Sequence, residues 1–138
     1  MDLLGDSPEF SLSDEKWRIY TRHRALAPQY IGDEAKITNS IVSEGCEIYG
    51  SVENSVLFAG VKVMPGARVR DAVVMSGTVI ESGADVSYSI IDTDVEIGAG
   101  AAVGGERGSK DGISVIGAGE KIADGQKVAA GAMIPDVR

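Results

Sequence analysis

The sequence predicts an all-β fold, a single-stranded parallel β-helix, and a six-residue repeat is the main observation behind this prediction. Aliphatic residues recur six positions apart, for example at Leu57, Val63 and Val69. A helix needs a period of about 3.6 and a half-buried strand a period of about 2, whereas six residues fit a short strand and a tight corner. Three such faces make one coil of about 17 residues, which buries its aliphatics on the next coil. The hexapeptide pattern indicates a left-handed coil, against the usual right-handed preference of parallel crossovers.

Glycines and small residues keep the same period at two further positions. Glycine supplies the positive φ that a tight corner often needs, and a small side chain fits the narrow interior of a triangular coil. Glycines follow the repeating aliphatics by three positions at Gly45, Gly60, Gly66, Gly77, Gly83, Gly100, Gly119, Gly125 and Gly131. Small or β-branched residues come one position later at Ala35, Cys46, Val61, Ala67, Thr78, Ala84, Val95, Ala101 and Ala132.

Two deviations from the period predict local features of the helix. The spacing from Ile48 to Leu57 is only nine positions, so the second coil is about two residues shorter than the others. The pattern stops at Gly104 and resumes near Val115, which predicts a loop extruded from one corner at about 104–114. We therefore expect residues 31–138 to form the β-helix, and residues 1–30 to precede it as an interdomain linker or cap segment.

The first 30 residues lack the six-residue period and are expected to form an irregular linker. One short helical turn is expected from Ser11 to Lys16, because the Ser11 side chain can cap it. The open first coil of a β-helix leaves unpaired backbone groups that need a cover. Large aromatic residues usually anchor packing, so Trp17, Tyr20 and Tyr30 are interpreted as a structural cap over that end.

A basic cluster in the same segment is the best candidate for binding an anion. It consists of Arg18, Arg22, His23 and Arg24. Arginine pairs well with phosphate, so these residues are candidate contacts for an anionic effector. The alternative is that they pair with acidic residues of the protein itself or of a neighbouring subunit.

Composition and charge argue against several classes of protein. The net charge of −8 argues against a nucleic-acid binder or a binder of anionic membranes. The single cysteine excludes an internal disulfide framework. The sequence contains no apolar run of about 18 residues, and its first residues lack the pattern of a signal peptide. We therefore expect a cytoplasmic protein that binds neither nucleic acid nor membrane.

Few residues of the repeat region suit catalysis or metal binding. His23, the only histidine, lies outside this region. Histidine is the residue that most often acts as a general base near neutral pH. Cys46 takes a small inward position and is interpreted as a core residue. Asp92, Asp94 and Glu96 alternate on one exposed side, which fits a solvated face better than a metal site. The sequence therefore indicates no catalytic, cofactor-binding or metal-binding residue.

Four segments carry a resemblance to a known family: WRIYT at 17–21, APQYI at 27–31, NSIVSEGC at 39–46 and VENSVLF at 52–58. They resemble the C-terminal region of bacterial ADP-glucose pyrophosphorylase (glucose-1-phosphate adenylyltransferase), of the catalytic-subunit type. The resemblance covers nearly the whole chain. It is more specific than the hexapeptide pattern alone, because the linker and the shortened second coil match as well.

The resemblance implies an oligomerisation and regulatory domain. Members of that family join an N-terminal nucleotidyltransferase domain to a left-handed β-helix and usually assemble as tetramers. They convert ATP and glucose 1-phosphate to ADP-glucose and pyrophosphate with Mg²⁺, for glycogen synthesis. The family's nucleotide loop, metal-binding carboxylate and sugar-phosphate lysine belong to the N-terminal domain. This chain alone is therefore expected to be inactive and to hold no cofactor, whereas Mg²⁺ and ATP are expected for the full-length enzyme.

The resemblance also implies an allosteric cleft for a phosphorylated metabolite, bordered by the β-helix. Plant and cyanobacterial members bind activators through lysines at places that here read Ile91-Asp92-Thr93-Asp94 and Val115-Ile116-Gly117. Both lysines are absent, so weak regulation or a different effector is expected.

Two alternative functions are kept at this stage. Many hexapeptide proteins are free-standing acyltransferases, but these use a histidine at a corner of a coil, and the repeat region here has none. A non-catalytic structural paralogue of the pyrophosphorylase is the second alternative. An assay of acyl-CoA turnover distinguishes the first of these, and the residues encoded upstream of Met1 bear on the second.

Overall fold

The protein forms three parallel sheets of six short strands each, wound as a β-solenoid of about six turns. The computed structural model describes residues 27–108 and 110–135, and these residues contain no helix. Sheet A consists of β1 (Tyr30–Ile31), β4 (Glu47–Ile48), β7 (Lys62–Val63), β10 (Val79–Ile80), β13 (Glu96–Ile97) and β16 (Lys121–Ile122). Sheet B consists of β2 (Lys36–Thr38), β5 (Ser51–Glu53), β8 (Arg68–Arg70), β11 (Asp85–Ser87), β14 (Ala102–Gly104) and β17 (Lys127–Val128). Sheet C consists of β3 (Ile41–Val42), β6 (Val56–Leu57), β9 (Val73–Val74), β12 (Ser89–Ile91), β15 (Ser114–Ile116) and β18 (Met133–Ile134).

The strand register confirms the predicted parallel β-helix. Each coil contributes one strand to each sheet, and every strand pairs in parallel with its equivalents in the coils before and after. Paired residues are 17 positions apart in most coils, as at Val63 and Ile80. The stacked positions are therefore the repeating aliphatics of the sequence. The left-handed sense of the coil stays a prediction from the hexapeptide pattern.

The core is a continuous stack of aliphatic side chains inside the solenoid. The largest fully buried side chains are Ile48, Leu57, Ile80, Ile91, Ile97, Ile116, Ile122, Val52, Val61, Val63, Val69 and Val74. The small positions of the repeat line the same interior, as predicted: Cys46, Val61, Ala67, Thr78, Ala84, Val95 and Ala101 are buried, and Ala35 and Ala132 are partly buried against the core. All nine glycines assigned to corners have a positive φ.

The shortened second coil is confirmed and lies at the corner between β4 and β5. Here, residues that pair between adjacent coils are 15 positions apart in the sequence, as are Glu47 and Lys62. The chain passes from Ile48 to Val52 through one short corner, in which Gly50 lies against the backbone of the next coil. Three hydrogen bonds hold this corner: the Ser51 N–H donates to the Ala67 carbonyl at 2.9 Å, the Lys36 N–H to the Gly50 carbonyl at 3.2 Å, and the Tyr49 N–H to the Val63 carbonyl at 2.8 Å.

A long connection leaves the solenoid between β14 and β15, and we call it the extruded loop. Paired residues on either side of it are 25 positions apart, as at Glu96 and Lys121, so this coil carries eight residues more than a coil of 17. Because the added residues leave from one corner, the strands of the last two coils still stack in register on those before them. The loop is therefore an addition to the solenoid and not an interruption of it.

A ladder of polar side chains lines the corner between sheets B and C. Asn39, Asn54, Asp71 and Tyr88 take positive φ angles there, between 44° and 49°. The Asn39 amide donates to Asn54 Oδ1 at 3.0 Å, and the Asn54 amide donates to Asp71 Oδ1 at 2.6 Å. Asparagine tolerates this backbone conformation better than most residues, and its side-chain amide can form hydrogen bonds with side chains of the neighbouring coils.

Replacing Asn54 separates the two contributions of this ladder. Asn54→Gly keeps the backbone conformation and removes both amide hydrogen bonds, so the free energy of unfolding is expected to fall by about 1 kcal/mol. Asn54→Ala adds the cost of a positive φ and is expected to lose about 1 kcal/mol more. Urea unfolding followed by circular dichroism measures both values. Equal stabilities of the two variants would show that the backbone at this corner relaxes freely.

Candidate interaction surface

The outer face of sheet C carries a continuous column of aliphatic side chains. In a strand, successive side chains point to opposite faces, so the residue beside each inward aliphatic points outward. The outward residues of the six strands are in register with one another: Ile41, Val56, Val73, Ile90, Val115 and Met133. Val56 is only 9% exposed, whereas Met133 at the end of the column is 52% exposed.

A second column widens this apolar face. The hydrogen-bond ladder continues one residue beyond the strands, since the Phe58 N–H donates to the Val74 carbonyl and the Met75 N–H to the Ile91 carbonyl, both within 3.0 Å. The residues two positions after the first column therefore also point outward, and they are Ser43, Phe58, Met75, Asp92, Gly117 and Pro135. Phe58 is 40% exposed. We call these two columns the apolar face.

The outer faces of the other two sheets carry a charged residue in most coils, together with apolar residues such as Val79 on sheet A. Sheet A presents Glu47, Lys62, Glu81, Glu96 and Lys121, and sheet B presents Lys36, Glu53, Arg68, Arg70, Asp85 and Lys127. Ion pairs link adjacent coils on sheet A, with Lys62 Nζ 3.6 Å from Glu47 and Lys121 Nζ 3.4 Å from Glu96. Among the outward positions of sheet C that the structure describes, Asp92 is the only charged residue. A contiguous apolar patch beside charged faces is typical of a surface that contacts another protein surface.

The chain enters the solenoid at the edge of the apolar face. The Gly45 N–H donates to the Ala27 carbonyl at 2.7 Å, and the Tyr30 N–H donates to the Cys46 carbonyl at 2.8 Å. Gly45 lies in the corner that joins β3 of sheet C to β4 of sheet A. Ala27, the first residue that the structure describes, therefore lies beside the corner between sheets C and A and away from sheet B.

The predicted cap and effector residues fall mostly outside the described part of the chain. Tyr30 lies in β1, pairs in register with Glu47 and places its ring 5.7 Å from that of Tyr49. It is 56% exposed, and its neighbour Ile31, on the first coil, is 41% exposed. The other residues of these two predictions lie outside the described residues, as does the expected turn from Ser11 to Lys16: Trp17, Tyr20, Arg18, Arg22, His23 and Arg24.

Cys46 is a core residue, as predicted. Its side chain is fully buried, and the thiol donates a hydrogen bond to the Phe58 carbonyl at 3.0 Å. Burial raises the pKa of this thiol, although neighbouring backbone hydrogen bonds oppose the shift. The neutral thiol is therefore favoured, and it is poorly suited to act as a nucleophile.

The three alternating carboxylates occupy the corner between sheets C and A. Asp94 is exposed, with a φ of 53°, and Glu96 pairs with Lys121. The Asp92 carboxylate accepts a hydrogen bond from the Thr93 N–H at 2.6 Å. Throughout residues 27–108 and 110–135, no three His, Cys, Asp or Glu side chains are grouped so that they could hold a metal ion. The same residues include no helix with the length and apolar character needed to cross a bilayer.

The apolar face is the feature that the six-residue period did not identify. The sequence nevertheless carries its signal, since each strand of sheet C contains two adjacent aliphatics, as in Val73-Val74 and Ile90-Ile91. One residue of such a pair must point outward, because side chains alternate along a strand. Adjacent aliphatics repeated once in every coil therefore indicate an apolar outer face.

Comparison with known proteins identifies a family and relatives that are similar to this solenoid. A family model described as "GlmU-like, C-terminal hexapeptide" matches residues 26–116. A glucose-1-phosphate adenylyltransferase of Acetivibrio thermocellus is 39% identical over an alignment of 143 residues, which covers 97% of this chain and 34% of the relative. Proteins of the same name from Bacillus mycoides and Bacillus cereus are 40% identical over 111 residues, which cover 80% of this chain and 30% of each relative. The chain thus spans about a third of the length of these relatives.

Proposed function

The chain belongs to the family of GlmU-like C-terminal hexapeptide domains, and from this premise we propose that it is the C-terminal oligomerisation and regulatory β-helix domain of a glucose-1-phosphate adenylyltransferase. The observation that carries the proposal is the identity of 39% over 97% of the chain. Because this match leaves out only 3% of the chain, it includes most of the first 30 residues and the extruded loop as well as the repeats. It agrees with the resemblance carried by the four sequence segments.

The proposed parent enzyme converts ATP and glucose 1-phosphate to ADP-glucose and pyrophosphate, with Mg²⁺, in glycogen synthesis. The chain matches about a third of its relatives, so the remaining two thirds are the proposed place of the nucleotidyltransferase domain and of its ATP and Mg²⁺ sites. A homotetramer is the proposed assembly. Arg18, Arg22, His23 and Arg24 are the proposed contacts of a phosphorylated effector, and Trp17, Tyr20 and Tyr30 are the proposed cover of the first coil.

The apolar face is the proposed contact with the nucleotidyltransferase domain. Two observations support this choice of partner. The first column of this face is apolar in all six coils, whereas the outer faces of sheets A and B carry charged residues in most coils. The preceding chain arrives at its edge, where the Gly45 N–H binds the Ala27 carbonyl. A domain attached there through residues 1–26 lies within reach of sheet C, since each extended residue spans about 3.3 Å.

A chimera tests this function. The chain alone, mixed with ATP, Mg²⁺ and glucose 1-phosphate, is expected to release no pyrophosphate above background. The same chain, substituted for the matching third of the Acetivibrio thermocellus enzyme, is expected to support pyrophosphate release and tetramer formation, as measured by an enzyme-coupled assay and light scattering. Pyrophosphate release by the chain alone, or an inactive chimera that is folded, would contradict the proposal.

Charge substitution in the chimera tests the contact surface as part of the same experiment. Val73→Glu places a carboxylate in the middle of the apolar face, and burying it without a partner costs several kcal/mol, so the contact with the nucleotidyltransferase domain is expected to weaken and activity to fall at least about tenfold. Val79→Glu is the matched control, because Val79 is also an outward, half-buried valine but lies on sheet A between Lys62 and Glu96. Equal losses in both variants would remove the apolar face from the proposal.

A further inference from the structure

The extruded loop is the longest connection between the described strands. It comprises residues 105–113, between β14 and β15, whereas the other connections have four residues or fewer. Its outer part stands in open space, because a Cβ on Gly108 or Gly112 would meet no heavy atom within 4 Å. The Arg107 side chain is 64% exposed, and its ion pair with Asp71 is long, at 3.8 Å. The backbone around Arg107 and Gly108 is therefore accessible from solvent.

The other arginines of the described part of the chain lie in a strand. They are Arg68 and Arg70 of β8. The Arg70–Asp71 peptide bond is held on both sides: the Arg70 carbonyl accepts the Tyr88 N–H at 3.0 Å, and the Asp71 N–H donates to the Glu53 carbonyl at 3.1 Å. A protease binds its substrate as an extended segment, so cutting after either of these arginines first requires the ladders of β8 to open. The extruded loop needs no such opening, because it lies between strands.

Both ends of the extruded loop are packed against the last coil. A Cβ on Gly105 would lie 2.7 Å from the Ala130 side chain, and a Cβ on Gly131 would collide with the Asp111 carbonyl. The first of these approaches joins the chain before the loop to the chain after it. A cut between the two packed ends therefore leaves each of them in place.

The chain after the extruded loop is also joined to the preceding coils by contacts that do not involve the loop. The Gly98 N–H donates to the Ile122 carbonyl at 2.8 Å, and the Ala102 N–H donates to the Gln126 carbonyl at 2.9 Å. Three pairs of buried aliphatic side chains stack in register across this boundary: Ile91 with Ile116, Ile97 with Ile122, and Val103 with Val128. Because a solenoid is stabilised by the contacts between neighbouring coils, these contacts persist without the peptide link.

We propose that the Arg107–Gly108 peptide bond is the site at which arginine-directed proteases cut the folded chain, and that the two parts stay assembled as one solenoid. Hydrolysis consumes one water molecule: its oxygen bonds to the Arg107 carbonyl carbon, the C–N bond breaks, and the Gly108 nitrogen leaves as an amine. The new carboxylate and amine both lie on the exposed part of the loop, so neither charge is buried. Exposed loop tips are the preferred sites of such cuts. The inference concerns the β-helix itself and does not depend on the proposed enzyme.

Limited digestion of the 138-residue chain with an arginine-specific protease tests the position of the cut. Intact-mass spectrometry is expected to show cutting after Arg107 at least about tenfold faster than cutting after Arg68 or Arg70, because only the latter requires the sheet to open. Cuts before Ala27 are counted separately, since they do not divide the solenoid. Cutting after Arg68 or Arg70 at a rate similar to that after Arg107 overturns the proposed site.

Gel filtration of the cut chain tests whether the two parts stay assembled. In native buffer they are expected to elute together, and the circular dichroism spectrum is expected to match that of the uncut chain, because the contacts between coils are retained. In denaturing urea the same two parts are expected to separate, which shows that the cut is complete. Parts that separate in native buffer, or that elute together with the spectrum of an unfolded chain, overturn the proposed assembly.

A conservative variant assigns the cut to Arg107 without disturbing the fold. Arg107→Lys retains the positive charge next to Asp71 but removes the side chain that the protease recognises, so the rate at which the solenoid is divided is expected to fall at least about tenfold. Arg68→Lys with Arg70→Lys is the matched control and is expected to change that rate less than about twofold. If Arg107→Lys is divided as fast as the unchanged chain, the cut lies elsewhere and the proposed site is wrong.

Discussion

Gly50→Ala is expected to lower the free energy of unfolding by about 3 kcal/mol, because it overpacks the shortened corner of the second coil. A Cβ at this position would lie 2.8 Å from the Met64 carbonyl oxygen and would collide with the Ala67 carbonyl. Both obstacles are backbone atoms, so no side-chain rotation relieves the contact. The Ala67 carbonyl also accepts the Ser51 N–H at 2.9 Å, and moving it would weaken a hydrogen bond between coils. Urea unfolding followed by circular dichroism measures the loss.

Gly100→Ala is the control for this prediction. Gly100 has a φ of +68°, and a Cβ on it would meet no heavy atom within 4 Å. Its replacement therefore adds only the cost of a positive φ, about 1 kcal/mol. Gly50 has the opposite combination, with close packing and no positive φ. If the two variants are equally destabilised, the shortened corner is more open than described.

The sequence contained most of the information needed for the solenoid itself. The six-residue period locates the inward aliphatics, so the coil length, the shortened coil and the position of the loop all follow from counting residues. This works because a solenoid pairs each coil mainly with its neighbours, so a local repeat also fixes the long-range register. Val63, Ile80 and Ile97 illustrate this, since they are equally spaced in sequence and stacked in sheet A.

The apolar face and the position of the extruded loop depend on information of a different kind. The apolar face can be predicted by applying side-chain alternation to pairs of adjacent aliphatics such as Val73-Val74. The six-residue period does not reveal this face, because the period describes inward positions only. The position of the extruded loop against the solenoid could not be predicted from the sequence. That position is set by close approaches such as Gly105 to Ala130 and by the pair of Arg107 with Asp71. Neither contact has a periodic signature.

Function was suggested by the four segments that resemble the pyrophosphorylase, and not by any catalytic pattern. A β-helix can serve an enzyme in two ways, as a rigid support for another domain or as the site of chemistry. The repeat region here lacks histidine, and its cysteine is buried with a raised thiol pKa. The proposed supporting role, with the apolar face against another domain, requires neither of these groups.

Ile91→Ala is expected to lower the free energy of unfolding by about 4 kcal/mol, because it leaves a cavity in the middle of the core. Ile91 is fully buried and stacks in register between Val74 and Ile116. In a solenoid, such a loss weakens the interfaces on both sides of one coil, so the two halves of the stack support each other less. Thermal and urea unfolding of the 138-residue chain measure the effect.

Ile90→Ala is a closely matched control, since Ile90 is the same residue type in the same strand, one position earlier, and points outward from sheet C. Its truncation opens no cavity in the core, so the chain alone is expected to lose less than about 1 kcal/mol. In the chimera, Ile90→Ala removes contact area from the apolar face, so it is expected to weaken the proposed contact with the nucleotidyltransferase domain and to lower activity, although the β-helix itself stays folded. If Ile90→Ala lowers the stability of the chain as much as Ile91→Ala does, then Ile90 lies in the core and does not belong to the apolar face.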